Sequence, residues 1–117
     1  MTTARLLVGA IAALLLGATS GFAQDSVKVG MLVPLTGPFA PVGKQMIAGA
    51  KLYMQQNGET VAGKKIELII KDDGGVPDNT RRLAQELVVN DKVSALAGFA
   101  LTPGALAAAP IATELVA

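Results

Sequence analysis

The amino-acid sequence predicts an α/β fold, in which a parallel sheet with flanking helices forms in the order βαβαβα. Three short runs of apolar and β-branched residues have the composition of buried strands. Each run is followed by a stretch with the three- and four-residue spacing of a helix, and Gly or Pro stands near the junctions. Strands that alternate with helices in this way form parallel sheets with right-handed crossovers, as in Rossmann-like, doubly wound domains.

The predicted strands cover residues 27–33, 65–71 and 93–98. Pro34 ends the first strand because its ring removes a backbone N–H. The pair Asp72 and Asp73, followed by two glycines, is typical of a solvated turn after the second strand. Residues 102–104, with the sequence Thr-Pro-Gly, predict a further turn after the third strand.

The predicted helices cover residues 42–57, 77–90 and 106–114. Asn57 and Gly58 form a plausible C-terminal stop for the first helix. Pro77 begins the second helix at a position where its missing N–H has no cost. The second helix carries an apolar stripe made of Thr80, Leu83, Ala84, Leu87 and Val88. Pro110 either kinks the third helix or restarts it.

Composition excludes several classes of function. The chain has 117 residues, 51% of them hydrophobic, with no His and no Cys. Zinc fingers, thiol catalysis, Ser-His-Asp triads and imidazole metal sites are therefore excluded. Without Arg5, the ten basic residues fall to nine against nine acidic ones. This balance argues against a nucleic-acid partner, which requires a basic surface.

Residues 1–23 have the features of a signal peptide. Arg5 provides the positive start, and residues 6–16 form an apolar run shorter than the roughly 20 residues that span a bilayer. The small residues Gly21 and Ala23 fit the −3 and −1 positions of a cleavage site. We therefore expect cleavage after Ala23 and export of residues 24–117. An uncleaved membrane anchor is the alternative.

Three motifs that could bind a cofactor, a metal or a reacting substrate do not fit their templates. Gly37, Gly43 and Lys44 resemble a phosphate-binding loop, but the glycines are spaced one residue too far apart and Gln45 replaces the required hydroxyl residue. No dinucleotide-binding Gly-x-Gly-x-x-Gly follows any predicted strand. No nucleophile, base and orienting group come together in the sequence. We expect no cofactor, no metal site and no catalysis.

Ligands in open α/β sheets bind beyond the carboxyl ends of the strands. The loops in this position are residues 34–43, 72–76 and 99–104. A binding site in this chain is therefore expected where these loops meet.

The motifs in these loops resemble one family. An export signal is followed by five short motifs in a defined order, at residues 29–40, 42–45, 48–50, 63–68 and 71–73, and then by Ala97-Gly98-Phe99 and Ala109-Pro110-Ile111-Ala112. This order resembles the N-terminal part of the Leu/Ile/Val-type, branched-chain amino-acid binding proteins of ATP-binding cassette transporters, which have the type I periplasmic fold. The resemblance extends over residues 27–114.

The resemblance implies a periplasmic receptor whose two α/β lobes close on a small solute. The closed receptor would deliver the solute to a membrane permease that works with ATPase subunits, and the receptor itself would catalyse nothing. In this family the chain returns to complete the first lobe. Residues 24–117 would therefore form an incomplete N-terminal lobe, and we expect that they bind no solute alone.

The resemblance also implies which residues bind the ligand. Thr102 falls on the position of a hydroxyl that binds the ligand carboxylate, with Ala100 and Leu101 in the same loop. Pro103 replaces a further hydroxyl residue, which removes one side-chain donor and one N–H. Val42 lies near the position of a residue that forms a wall of the site, and Phe39 precedes it. Core packing of Phe39 and Val42, and a simple turn at Thr102, are the alternatives.

Two classes of ligand stay open at this point. One class is branched-chain or other apolar amino acids. The sequence of residues 99–103 also resembles receptors of this family that take aromatic carboxylates, which are the second class. Other roles also stay open: a ligand-sensing domain of the same fold coupled to signalling, or a fragment of an exported α/β enzyme. The neighbouring genes would separate a sensor from a transporter.

Overall fold

The structure, a computed structural model, describes residues 25–115; the predicted signal peptide and its cleavage site lie outside the described residues. The elements are β1 (Ser26–Val33), α1 (Ala40–Asn57), β2 (Thr60–Val61), β3 (Lys64–Asp72), α2 (Pro77–Val89), β4 (Ala95–Gly98) and α3 (Thr102–Ala112), and a 3₁₀ turn follows at Thr113–Leu115. The predicted α/β class and the alternation of strand and helix are confirmed. The short strand β2 is an addition that the sequence analysis missed.

The sheet has the strand order β2-β3-β1-β4, with β1 at its centre. The strand β1 pairs in parallel with both β3 and β4, whereas β2 pairs antiparallel to β3. The chain moves from β1 to β3 in one direction and from β3 back across β1 to β4 in the other. Because such crossovers are right-handed, α1 and α2 cover opposite faces, and the sheet reverses its strand order between β1 and β4.

The buried core lies between the sheet and the helices α2 and α3. Its fully or nearly fully buried members are Leu32, Leu83, Ala84, Leu87, Val93, Ala108 and Ile111. Gly30 on β1 leaves room for Leu87, since a Cβ atom on Gly30 would lie 2.8 Å from Leu87 Cδ1. The predicted apolar stripe of α2 is confirmed, because Thr80, Leu83, Ala84 and Leu87 are its buried residues.

The opposite face of the sheet is covered by α1 only in part. Ile66, Leu68 and Ile70 of β3 alternate onto this face and are half-buried. Together with Met54 of α1 they line an open groove of about 440 Å³. Within residues 25–115, no helix combines the length and the apolar character needed to cross a bilayer.

Two predicted boundaries are wrong at helix starts. The helix α1 begins at Ala40 rather than at residue 42, with Pro41 in its first turn. Residues 102–104 are not a turn before a helix, because α3 begins at Thr102 and has Pro103 in its first turn. Proline is tolerated there since the first N–H groups of a helix have no partner inside the helix. The helix α3 then continues through Pro110 to Ala112 rather than restarting.

Candidate functional site

The three loops that follow β1, β3 and β4 meet at Gly75. A Cβ atom placed on Gly75 would lie 3.2 Å from Leu101 Cδ1 and 3.3 Å from Phe39 Cδ2. The side chains of Phe39, from the first loop, and Leu101, from the third, therefore both pack close to Gly75 in the second loop. Phe39 is 42% exposed. We call this surface, made of Phe39 and Leu101 above Gly75, the apolar platform.

Asp72 connects the first loop to the second. Its Oδ1 atom accepts hydrogen bonds from the N–H groups of Leu35 at 2.7 Å and Gly74 at 2.9 Å. Its Oδ2 atom accepts a hydrogen bond of 2.8 Å from the hydroxyl of Thr36, whose N–H also lies 3.4 Å from Oδ1. These bonds favour the ionised carboxylate, so the pKa of Asp72 is lowered, chiefly by the N–H of Leu35.

Asp73 is a buried support of the second loop, and its predicted place in a solvated turn is therefore wrong. Its side chain accepts hydrogen bonds from the N–H of Gly75 at 2.9 Å and from the hydroxyl of Thr80 at 2.8 Å. The residue is only 4% exposed. On the far side of Thr80, a Cβ atom on Gly104 would lie 3.0 Å from Thr80 Oγ1. Asp73 thus links the second loop, through Thr80, to the beginning of α3.

The third loop leaves β4 in an unusual backbone conformation. Gly98 has φ of 102° and Phe99 has φ of 60°, so two consecutive residues lie outside the ordinary region for L-residues. A Cβ atom on Gly98 would also lie 2.2 Å from the carbonyl oxygen of Leu32. Glycine is therefore required at position 98. Strained backbone of this kind at Phe99 is common at binding sites.

The strained turn leads to a group of free backbone donors. The N–H groups of Ala100, Leu101 and Thr102 donate no hydrogen bond to any described residue, and neither does the hydroxyl of Thr102. Thr102 is the first residue of α3, and it is exposed. Free N–H groups at a helix N-terminus attract negatively charged groups, because the helix dipole adds to their own partial charge.

The structure brings four of the five predicted site residues into one region. Ala100, Leu101 and Thr102 are consecutive in the third loop, and Phe39 approaches Gly75, which Leu101 also approaches. Val42 is separate: it lies in the first turn of α1, is 44% exposed, and its N–H donates to the carbonyl of Phe39 at 3.0 Å. Phe39 and Val42 are both outside the buried core.

Sequence reasoning placed the loop of residues 72–76 at this site but gave no role there to Asp73 or Gly75, and it assigned Thr80 only to the apolar stripe of the second helix. The Asp-Asp-Gly-Gly run after a predicted strand was the available signal, since it falls at the carboxyl edge of the sheet. Within residues 25–115, no group of three or more acidic side chains has the arrangement of a metal site.

Comparison with known proteins gives the family. The periplasmic binding protein family matches residues 26–115. The chain belongs to the periplasmic binding protein family. It is 41% identical, over 92% of its length, to the Leu/Ile/Val-binding protein homolog 6 of Brucella abortus, and it spans 27% of that protein.

Two solved periplasmic binding proteins share this fold with bound ligands. The solute-binding protein of an ABC transporter from Rhodopseudomonas palustris, in complex with 3,4-dihydroxybenzoic acid, is 62% identical; the match covers 77% of this chain and 25% of that protein, with a TM-score of 0.76. The branched-chain amino-acid transporter substrate-binding protein LivJ from Streptococcus pneumoniae, in complex with isoleucine, is 28% identical; that match covers 78% of this chain and 27% of that protein, with a TM-score of 0.72. The chain therefore spans about a quarter of the length of its relatives.

Proposed function

We propose that residues 24–117 form the N-terminal part of the first lobe of an exported, two-lobed solute receptor, and that this part binds the carboxylate and the ring of a small aromatic acid. The observation that carries the proposal is the apolar platform, which lies beside the free N–H groups of residues 100–102 at the strand-order reversal of the sheet. One surface suits a ring and the other suits an anion.

The carboxylate is assigned to the third loop. The N–H groups of Ala100 and Leu101, and the N–H and hydroxyl of Thr102, are donors without acceptors among the described residues. They lie at the N-terminus of α3, where an anion is favoured by the helix dipole. Pro103 supplies no donor, so the anion would depend on these three residues.

The ring is assigned to the apolar platform. Aromatic rings pack well on the edge or face of another aromatic side chain, and Phe39 is exposed enough to offer such a contact. The 62% identity to a receptor solved with 3,4-dihydroxybenzoic acid supports an aromatic ligand. Val42 is not part of this surface, and we assign it no contact with the ring.

A branched-chain amino acid is the second candidate ligand. It is favoured by the 41% identity to a protein named as a Leu/Ile/Val-binding homologue. The same third loop would bind its carboxylate, and the platform would contact its aliphatic side chain. The groups that would bind its α-amino group are not among the residues assigned to the site.

The wider role follows from the family. The complete receptor would work in the periplasm after cleavage at Ala23, and it would pass its solute to a membrane permease with ATPase subunits. It would catalyse no reaction. Its relatives are transporter binding proteins, which favours delivery to a permease over a signalling role.

Two reciprocal chimeras test the choice of ligand. In the aromatic chimera, residues 26–115 replace the matching segment of the Rhodopseudomonas palustris receptor. In the amino-acid chimera, they replace the matching segment of Streptococcus pneumoniae LivJ. We expect calorimetry to show micromolar binding of 3,4-dihydroxybenzoate by the aromatic chimera and at least tenfold weakened isoleucine binding by the other. Retention of isoleucine binding alone would favour the second candidate, and folded chimeras that bind neither ligand would refute the site.

Thr102→Val tests the carboxylate assignment within the aromatic chimera. Loss of the hydroxyl should raise the Kd for 3,4-dihydroxybenzoate about tenfold, as expected for a lost hydrogen bond to a charged group. Thr60→Val is the matched control, since Thr60 is exposed on β2 and outside the site. Equal affinities for both variants would contradict the role of Thr102.

A further inference from the structure

The carboxylate of Asp72 accepts hydrogen bonds from residues of both the first loop and the second loop. Leu35 and Thr36 donate to it from the first loop, and Gly74 donates from the second. Asp72 itself is the last residue of β3, which pairs with β1 from Lys65 to Asp72. One carboxylate therefore attaches the first loop to the end of a fixed strand.

The attachment extends from Thr36 to Phe39 through a short hydrogen-bonded turn. The N–H of Ala40 donates to the carbonyl of Gly37 at 3.2 Å, and the N–H groups of Val42 and Gly43 donate to the carbonyl of Phe39. Phe39 thus lies between a turn and the first turn of α1. A shift of Thr36 would be passed to the ring of Phe39, because few free torsions separate the two residues.

The other half of the apolar platform is supported by a second carboxylate. Asp73 binds Gly75 and Thr80, and Thr80 contacts the beginning of α3 next to Leu101. None of these contacts involves the first loop. Asp73 therefore supports the loop beside Leu101, while Asp72 holds the first loop that carries Phe39 and, through Gly74, connects it to the second loop.

We propose that Asp72 is a positioning residue for ligand selectivity: it aligns Phe39 with Leu101 so that the apolar platform accepts a flat ring better than a puckered one. This inference rests on the proposed function, since it assumes that the ligand ring lies on the platform. Asp72 itself contacts no ligand. Its carboxylate is already used by Leu35, Thr36 and Gly74.

The test compares two ligands of the same connectivity in the aromatic chimera. One is 3,4-dihydroxybenzoate, and the other is its saturated analogue 3,4-dihydroxycyclohexanecarboxylate, whose ring is puckered. Asp72→Ala should raise the Kd of the flat ligand about tenfold, while the Kd of the puckered ligand changes about twofold or less. A residue that acts only on folding would raise both values by the same factor and leave their ratio unchanged.

Variants of Thr36 keep the inference testable if Asp72→Ala does not fold. Thr36→Val removes one hydrogen bond to Asp72 while keeping the shape of the side chain. It should reduce the ratio of the Kd of the puckered ligand to the Kd of the flat ligand about threefold, whereas Thr36→Ser should retain the wild-type ratio. Asp25→Ala, at the opposite end of the sheet, is the control for loss of one carboxylate. A wild-type chimera that does not bind 3,4-dihydroxybenzoate would refute the proposed function. Binding with an unchanged ratio in both the Asp72 and Thr36→Val variants would refute this inference alone.

Discussion

The two faces of the sheet differ in how completely they are covered. On the face under α2 and α3, Leu32 and Leu87 have no exposed surface. On the face under α1, Leu68 and its neighbours are half-buried and border an open groove. The stability of the described segment therefore comes mainly from one face. The second and third loops of the candidate site are supported from that same face, through Thr80 and Gly104.

The largest expected effect on stability comes from truncating a buried leucine, and the prediction compares one leucine from each face of the sheet. Leu87→Ala should lower the free energy of unfolding by about 3 kcal/mol, because it leaves a cavity in the closed core. Leu68→Ala should lower it by about 1 kcal/mol, because the side chain is already partly in contact with water. Urea denaturation of the full chain measures both. Equal losses would mean that the two faces contribute equally.

Replacing each of two glycines of α1 by alanine should change the stability of the chain in opposite directions. A Cβ atom on Gly43 would lie 1.8 Å from the carbonyl oxygen of Pro34, so Gly43→Ala must displace α1 from the first loop and should destabilise the chain by about 2 kcal/mol. Gly49 has no atom within 4 Å of its Cβ position, so Gly49→Ala should stabilise the helix by about 0.7 kcal/mol. Thermal unfolding compares them. Destabilisation by both variants would show that α1 is tightly packed along its length.

An ion cluster attaches α2 to the closed face. Lys71 Nζ lies 2.5 Å from Glu86 Oε1 and 2.8 Å from Asp91 Oδ2, and its pKa is raised, chiefly by the neighbouring Asp91 carboxylate. Lys71→Met should cost about 2 kcal/mol, since it leaves the partly buried carboxylate of Asp91 without its cation and leaves Glu86 with only the longer contact to Arg82.

The exposed pair on β3 is the matched control for that cluster. Lys65 Nζ lies 3.9 Å from Glu59 Oε2, and both side chains are more than half exposed. Lys65→Met should therefore cost about 0.3 kcal/mol or less. Urea midpoints at pH 7 measure both variants, and a cost for Lys65→Met as large as for Lys71→Met would contradict the contrast.

The smallest expected effect is a dependence of stability on pH below about pH 5. Hydrogen bonds lower the pKa of folded Asp72 below its ordinary value of 3.8. Its contribution to stability is therefore complete above about pH 3.8 and is lost as the pH falls through the lower folded value. Urea midpoints measured downward from pH 5 should fall less steeply for Asp72→Asn than for Asp25→Asn. Identical slopes would contradict the role of Asp72 in holding the first loop.

Local signals in the sequence predicted much of the fold. Pro77 at the start of α2, the buried stripe from Thr80 to Leu87, and the end of α1 at Asn57 are all where the sequence placed them. Each of these three features depends only on residues within a few positions along the chain. The start of α3 at Thr102 was missed because Thr-Pro-Gly is equally compatible with a turn, and β2 was missed because two residues carry no periodicity.

The candidate site also combines features that local sequence predicts with contacts that it does not predict. Local sequence patterns were enough to place three loops after parallel strands, with Phe39, Leu101 and Thr102 among their residues. Three further features became visible only in the folded chain: Phe39 and Leu101 both approach Gly75, Asp72 binds the first loop, and Asp73 is buried against Thr80. The physical reason is distance along the chain: helices and strands form from local spacing, whereas contacts between loops depend on how the whole sheet is assembled.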